Sequence, residues 1–481
     1  MTNPPRHTVP DKILLELASG GGGADAVAML QAAQQSKRLL LLRGMQDLAT
    51  RIDPDRARPV REAYKLIAAV QRADPAAAQA VLGYPTVASS ALRAALNLSG
   101  ESPDLQVCAD RLGAIAAAAA IRTGFPAAVE LPATEGRVVL PSLGVVTEAG
   151  SDRVVVRSGP DGAAVGTVEL PAVLEEDGPG WTALYRLAAE HEGVPVSFTL
   201  DELDPDRMPG ANLASQPLTD KELARWRTTL DAAWALLVGR HRAVADEIRS
   251  LITALTPLAA PASGESSATS KEAVGNVGVS TPRDVHGLAV TLAHEVQHVK
   301  LTALIDIVSL TLPDDGSRYY APWREDPRPL AGLLQGAYAH LGIAGFWRRE
   351  RATENDDIAR RAHVEFARWR TATARTISTL LESGRLTGAG EVFVTEMGRT
   401  LKVWCAEPVP ADAEVQAAKA ADRHLTGWRE RRAGEAVLLD TTSQDVAVLP
   451  IRGSFTRHSD GPSDGIRSVA DRSRGPGADA L

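Results

Sequence analysis

The sequence predicts a mainly α-helical protein carrying a small β-rich insertion, an α+β chain whose metal-binding helix lies beside an edge strand. Three observations predict this. Long stretches place apolar residues at helical intervals with few β-branched ones. Short Val-rich runs broken by glycine turns are confined to about residues 126–200. Strand and helix patterns do not alternate, which excludes a doubly wound, Rossmann-like sheet. The 481 residues, 44% hydrophobic and 23% charged, are ordinary for two or three globular units. Aromatics are only 4%, so Ala, Leu and Val must fill the cores. A net charge of −8 gives no footprint for nucleic acid. The longest apolar runs, Ala114–Ile121 and Leu39–Leu42, fall short of the ~20 residues that span a bilayer. The N-terminus has no signal-peptide core. Cys108 and Cys405 are far apart, with no metal or redox spacing. The expectation is a cytoplasmic protein that engages neither membrane nor nucleic acid.

Four regions are expected: helical 1–125, a β-rich insertion at 126–215, a helical metal-binding catalytic region at 216–435, and a strand-like segment with a flexible tail at 436–481. Asp11–Glu16 leads to a glycine break, Gly20–Gly23, and then to the helical run Ala24–Leu48. The glycines lack a preceding strand and the GxxxxGKS/T pattern, so they read as a helix-to-helix turn, not a phosphate cradle. Val129–Pro132, Arg137–Leu140, Arg153–Arg157 and Val165–Leu170 read as strands of a small antiparallel sheet. Thr219–Leu255 reads as helix, with Trp226, Leu230, Trp234 and Leu237 on its core face. Residues 257–270 read as a loop and Ala273–Val279 as a strand, whose Gly275 and Gly278 would admit another backbone. Helices follow at Thr281–Ile307, Leu330–Leu381 and Glu407–Arg432, and no internal repeat is visible.

The chemistry concentrates in the third region. Thr281 caps a helix with Pro282 at its first position, and Asp284 completes a capping-box pattern. Val285, Leu288, Ala289, Leu292, Val296 and Val299 form its apolar stripe. His294 and His298 are four apart around Glu295, an HExxH motif, so both imidazoles leave one helix face a single turn apart. That spacing lets two nitrogens reach one metal ion. Chance occurrence in a chain this long is on the order of one in a hundred. A catalytic metal needs a third protein ligand and an open position. HExxHxxGxxH is absent, because Leu301 and Leu304 follow. The third ligand is therefore sought among His340, His363, His424, Glu350 and Glu354. His340 is the first choice, on a buried helix with Gly336 one turn before it. Between lies the aromatic, arginine-rich, proline-stiffened loop 318–329, whose arginines suit bidentate recognition of a carboxylate.

LAHEVQHVKLTALIDIVSL followed by RYYAPWREDPRPLAGLLQGAYAHLGIAGFW resembles the HExxH-motif peptide-modification proteins of bacterial natural-product clusters, the iron- and 2-oxoglutarate-dependent peptide β-hydroxylases. LASGGGGADAVAMLQAAQQSKRLLLLRG and ADRHLTGWRERR extend the resemblance over most of residues 11–432. It implies Fe(II) on His294 and His298, 2-oxoglutarate as cosubstrate and O2 as oxidant. The implied substrate is a ribosomally made precursor peptide, hydroxylated at a β-carbon. No CxxxCxxC motif occurs, so the chain would be a stand-alone hydroxylase, with a radical-SAM maturase of the same pathway as a partner. Three protein ligands leave two octahedral positions for the 2-oxo acid and one for O2. His340 as third ligand makes a three-imidazole site, departing from the two-His-one-carboxylate pattern. Glu295 then supports a ligand or water and is not needed as a base. Arg324, then Arg328, are expected to hold the distal carboxylate of 2-oxoglutarate, with Tyr320 beside them.

Two other functions fit the same residues. In a Zn(II) metallopeptidase, Glu295 activates water and the Ala273–Val279 strand receives substrate. A catalytically idle peptide-binding partner in a maturation complex would carry a structural metal or none.

Overall fold

The structure, a computed structural model, describes residues 7–261, 264–353 and 356–442, with side chains to 432. Glu354 and the tail from 443 onward lie outside the described residues. Six helices open the chain: α1 Asp11–Ala18, α2 Gly23–Ile52, α3 Arg58–Ala73, α4 Pro75–Leu82, α5 Pro85–Leu98 and α6 Leu105–Thr123. The glycine break separates α1 from α2 as expected. Pro75 and Pro85 begin their helices, where a missing N–H costs nothing, and the Asp74 and Asp104 carboxylates cap α4 and α6. The α6 run Ile115–Ile121 is buried throughout, its small side chains letting α3 and α4 pack closely on it.

Nine strands follow: β1 Ala127–Pro132, β2 Val138–Leu140, β3 Gly144–Val146, β4 Arg153–Gly159, β5 Gly162–Val165, β6 Val168–Glu169, β7 Trp181–Ala183, β8 Tyr185–His191 and β9 Val194–Leu200. The orders β1-β4-β5-β6 and β2-β3-β7 make two small antiparallel sheets. The hairpin β8–β9 instead joins β10 Ala254–Leu258, β11 Ser267–Thr269 and β12 Asn276–Ser280 in a mixed sheet of order β11-β12-β10-β9-β8. Its three inner strands run parallel, and β8 and β11 are the antiparallel edges. The sheet therefore spans the 215/216 boundary expected from the sequence.

Two expectations change here. Residues 254–258 and 267–269 are strands, not helix end and loop. All five residues of β10 are buried, so it lacks the two-residue alternation that marks a half-exposed strand. The Ala273–Val279 segment overlaps β12, which is paired on both sides, so β11 is the edge strand instead. Gly278 serves the side chain of Leu258 on β10, which a Cβ would press at 2.9 Å, and not an incoming backbone.

The helical remainder comprises α7 Asp220–Arg240, α8 Arg242–Leu251, α9 Val285–Ile305, α10 Leu330–Glu350, α11 Asp356–Glu382, α12 Gly388–Cys405 and α13 Ala411–Thr442. A capping box between Thr219 and Glu222 starts α7, and Trp226, Leu230, Trp234 and Leu237 are fully buried as expected. The HExxH helix α9 begins at Val285, not Thr281. Asp284 is its cap, accepting the Gly287 N–H at 2.8 Å. The expected stripe packs inward, with Leu288, Ala289, Leu292, Val296 and Val299 buried. The sequence reading has no counterpart to α12, and α13 continues to Thr442, past the expected boundary at 435.

One hydrophobic core unites α1, the start of α2, the mixed sheet and α7–α12. A second lies within α2–α6, and a third joins α6 to the antiparallel sheets. The glycine break is fastened to the first core by Lys300 of α9. Its ammonium, 1% exposed, donates to the carbonyls of Gly20 (3.0 Å) and Gly21 (2.8 Å) and to Glu247 (2.7 Å). A buried ammonium is tolerable only with such complete partnering.

Candidate metal centre

Helix α9 brings His294, Glu295 and His298 together, with one potential ligand atom of each within 4.8 Å of the others. The two imidazoles meet edge to face, ring centres 4.8 Å apart. His340 reaches them from α10, its ring centre 5.4 Å from that of His294. Helix packing thus brings His340, 42 residues beyond His298, to two imidazoles that leave a single helix turn.

Each ring is held by its Nδ1. The Nδ1 of His294 lies 2.9 Å from Glu295 Oε1, that of His298 3.1 Å from Gln335 Oε1, and that of His340 2.8 Å from the Gly336 carbonyl. A carboxylate or carbonyl oxygen only accepts, so each Nδ1 carries a proton, and a ring in its neutral form has its lone pair on Nε2. This is the tautomer a metal-binding histidine uses when an oxygen orients it from behind. Burial, reinforced by His294, holds the pKa of His340 well below its ordinary value, which keeps the ring neutral. Burial also opposes the charge of Glu295. The adjoining His294 and then His298 outweigh it, so that carboxylate is ionised below its ordinary range.

Glu295 is 1% exposed and its second oxygen, Oε2, has no hydrogen-bond partner. A buried carboxylate oxygen left unpaired costs free energy unless something else meets it. With the lone pairs of His294 and His298 it forms a donor set that could hold a metal ion, and His340 stands beside that group.

Two indoles wall the third histidine. Trp323 stacks on His340 with ring centres 4.3 Å apart, and Trp369 of α11 lies at 4.6 Å. Trp323 comes from the proline-stiffened loop, which is closed by paired backbone hydrogen bonds between Tyr319 and Arg328. A Cβ on Gly336 would collide with the Trp323 indole. The glycine therefore permits the close approach of the indole.

The other expected residues have partners of their own. Arg324 and Arg328 both bond Asp326, at 2.7 and 3.1 Å. Arg328 is the more buried, its side chain 11% exposed against 38%. The Tyr320 hydroxyl bonds His424 Nδ1 of α13 at 2.8 Å, which engages His424 away from the cluster. His363 is packed near Arg351 and Asp412. Glu350 belongs to a separate buried group with Arg240, His241 and His286. Sequence reasoning missed Gln335, Trp369 and Arg368. The guanidinium of Arg368 lies 4.3 Å over the Trp369 ring, and its charge acts on His340, Tyr320 and His424. No local pattern distinguishes these three residues from ordinary helix positions.

Neither a model of a known protein family nor a curated protein matches the chain.

Proposed function

We propose that the protein is an Fe(II)- and 2-oxoglutarate-dependent dioxygenase that hydroxylates a β-carbon of a ribosomally made precursor peptide. The observation that carries this reading is three imidazoles, each anchored through Nδ1, beside a buried carboxylate, joined to the sequence blocks that resemble peptide β-hydroxylases. His294, His298 and His340 would hold the metal. Iron with 2-oxoglutarate and O2 supplies an oxidising chemistry whose balance is peptide C–H plus 2-oxoglutarate plus O2 giving C–OH, succinate and CO2.

The chain's own residues do the rest. Glu295, Gln335 and the Gly336 carbonyl fix the rings. Trp323 and Trp369 exclude water from one side of His340. Arg368, beside the histidines, supplies positive charge for an anionic cosubstrate, with Arg328 and Arg324 of the loop as the expected alternatives. The edge strand β11 packs next to α9 and offers backbone groups to an extended peptide.

The zinc peptidase reading also has that edge strand in its favour. Against it, Glu295 is buried and bonded to its neighbour His294, which suits a residue that orients a ligand better than one that activates water. The deciding experiment supplies the purified chain with Fe(II), 2-oxoglutarate, O2 and a candidate precursor peptide. Succinate release matched by gain of one oxygen atom in the peptide is expected. Peptide cleavage without 2-oxoglutarate would establish the peptidase instead, and metal-free protein with neither activity would establish the idle binding partner.

A further inference from the structure

A cavity of about 660 Å³ lies away from the histidine cluster, where α2, the strands β8 and β9 and the back of α9 meet. Its volume is that of a small-molecule site, roughly 300–1,000 Å³. None of His294, Glu295 and His298 lines it; α9 contributes Val299 and Ala303 instead.

Three arginines line it: Arg38 from α2, Arg122 from the last turn of α6 and Arg186 from β8. The remaining polar lining consists of glutamines, serines, threonines and Tyr84, and no Asp or Glu is among the described lining residues. The Tyr84 hydroxyl is turned away, donating to Asp201 at 2.8 Å. Glu175, outside the lining, takes one nitrogen of Arg122 at 2.6 Å. Arg38 donates one nitrogen to the Val274 carbonyl at 3.3 Å. Beyond these bonds, Arg38 Nε, Arg122 Nε and Ser142 Oγ are buried with no partner. Burial pulls the Arg38 pKa down to about 10, the mark of a guanidinium short of compensating charge. Ser142, also in the wall, holds a left-handed φ of 69° that a residue with a Cβ rarely adopts. Such strain clusters at ligand clamps.

A hydrated gap between cores would be served by the neutral amides and hydroxyls alone. Three arginines in a wall that itself holds no Asp or Glu among the described residues, with unpartnered Nε groups on Arg38 and Arg122, are the complement of an oxyanion. We propose that this cavity binds a small polyanion, a molecule carrying a phosphate or several carboxylates, through Arg38, Arg122 and Arg186. The proposal does not depend on the metal chemistry.

Titration calorimetry of the full chain with inorganic phosphate, pyrophosphate and citrate, at ionic strength matched with sodium chloride, tests it. Saturable binding of at least one probe is expected. The contrast between pyrophosphate and citrate tells phosphate from carboxylate recognition. Arg38→Met and Arg186→Met should each weaken binding tenfold or more, while Arg153→Met, on β4 and paired with Asp110 and Glu130, should not change it. Arg186 is exposed, so its variant remains informative if Arg38→Met fails to fold. No saturable binding by any probe, or unchanged affinity in the Arg186→Met protein, would overturn the proposal.

Discussion

Two buried carboxylates, Glu295 on α9 and Glu350 at the end of α10, occupy one hydrophobic core and are treated differently by it. Glu350 is wholly enclosed. One oxygen takes His241 Nε2 at 2.9 Å, and the other takes Arg240 at 3.1 Å and His286 at 3.3 Å. Burial resists its charge, but the hydrogen bonds of His241 and His286 and the charge of Arg240 carry its pKa down to about 2. Glu295 has His294 on one oxygen, its second oxygen makes no full hydrogen bond, and the Ser267 side chain nearby adds only a small lowering of its pKa. A fully satisfied buried charge fixes structure, whereas one with an unbonded oxygen beside a histidine cluster leaves a place for a cation. By this comparison Glu350, once a candidate ligand, is a structural residue, and the group that could hold a metal ion is the one on α9.

The largest effect should separate the two groups outright. His298→Ala removes a proposed ligand while the surrounding helix stays packed, so iron or zinc content by plasma mass spectrometry should fall to near zero. Full metal occupancy in that protein would break the comparison. His340→Ala sharpens it, because unchanged metal content there would restrict the site to the α9 residues.

Next comes Glu350→Gln, which removes the charge that three donors share. Loss of one partner from a buried ionic group costs roughly 3 kcal/mol, to be read from urea unfolding, with metal content unchanged. The effect has a defined pH window. The folded pKa of Glu350 lies below the ordinary carboxylate value, so its stabilisation is present above about pH 4.5 and is lost as pH falls toward about 2. His241 acts in the same direction. Burial lowers its pKa despite Glu350, so acid protonates the unfolded chain first and favours unfolding below its ordinary value. The Gln variant should therefore show a flatter acid limb than wild type, and an identical limb would remove Glu350 as its cause.

Glu295→Gln should reverse that pattern. It should weaken metal binding about 10–100-fold, as loss of a ligand-orienting partner does, yet lower unfolding stability less than Glu350→Gln. Succinate formation should be reduced but measurable, because C–H cleavage needs no side-chain base. Abolished turnover with zinc still bound would instead assign Glu295 the peptidase role.

The smallest effect concerns the wall. Gly336→Ala displaces the Trp323 indole from His340, at a cost of about 1–3 kcal/mol for overpacking. Tryptophan fluorescence should shift, with metal content largely retained. An unchanged spectrum would show that the loop adapts without moving the indole.

What could be read along the chain was what nearby residues decide. The α9 stripe, the i, i+4 histidines, the glycine break before α2 and the Trp226–Leu237 face are periodic or adjacent, so local geometry determines them. The capping position shifted from Thr281 to Asp284 because both residues can cap and only the docked loop chooses between them. Helix α12 begins with Gly388 and Gly390, poor helix formers, and is held by its packing against α11. Strand β10 is buried on both faces and therefore carries no alternating signal. The edge position of β11 depends on which strands pair with which. His340 and Gln335 meet the α9 pair, and the three cavity arginines come from α2, α6 and β8, only through the packing of segments far apart in sequence. Periodicity tells a side chain whether it faces core or water. Which neighbour it meets there is set by the packing of the whole chain, and that decided the third imidazole, the indole wall and the arginine cavity.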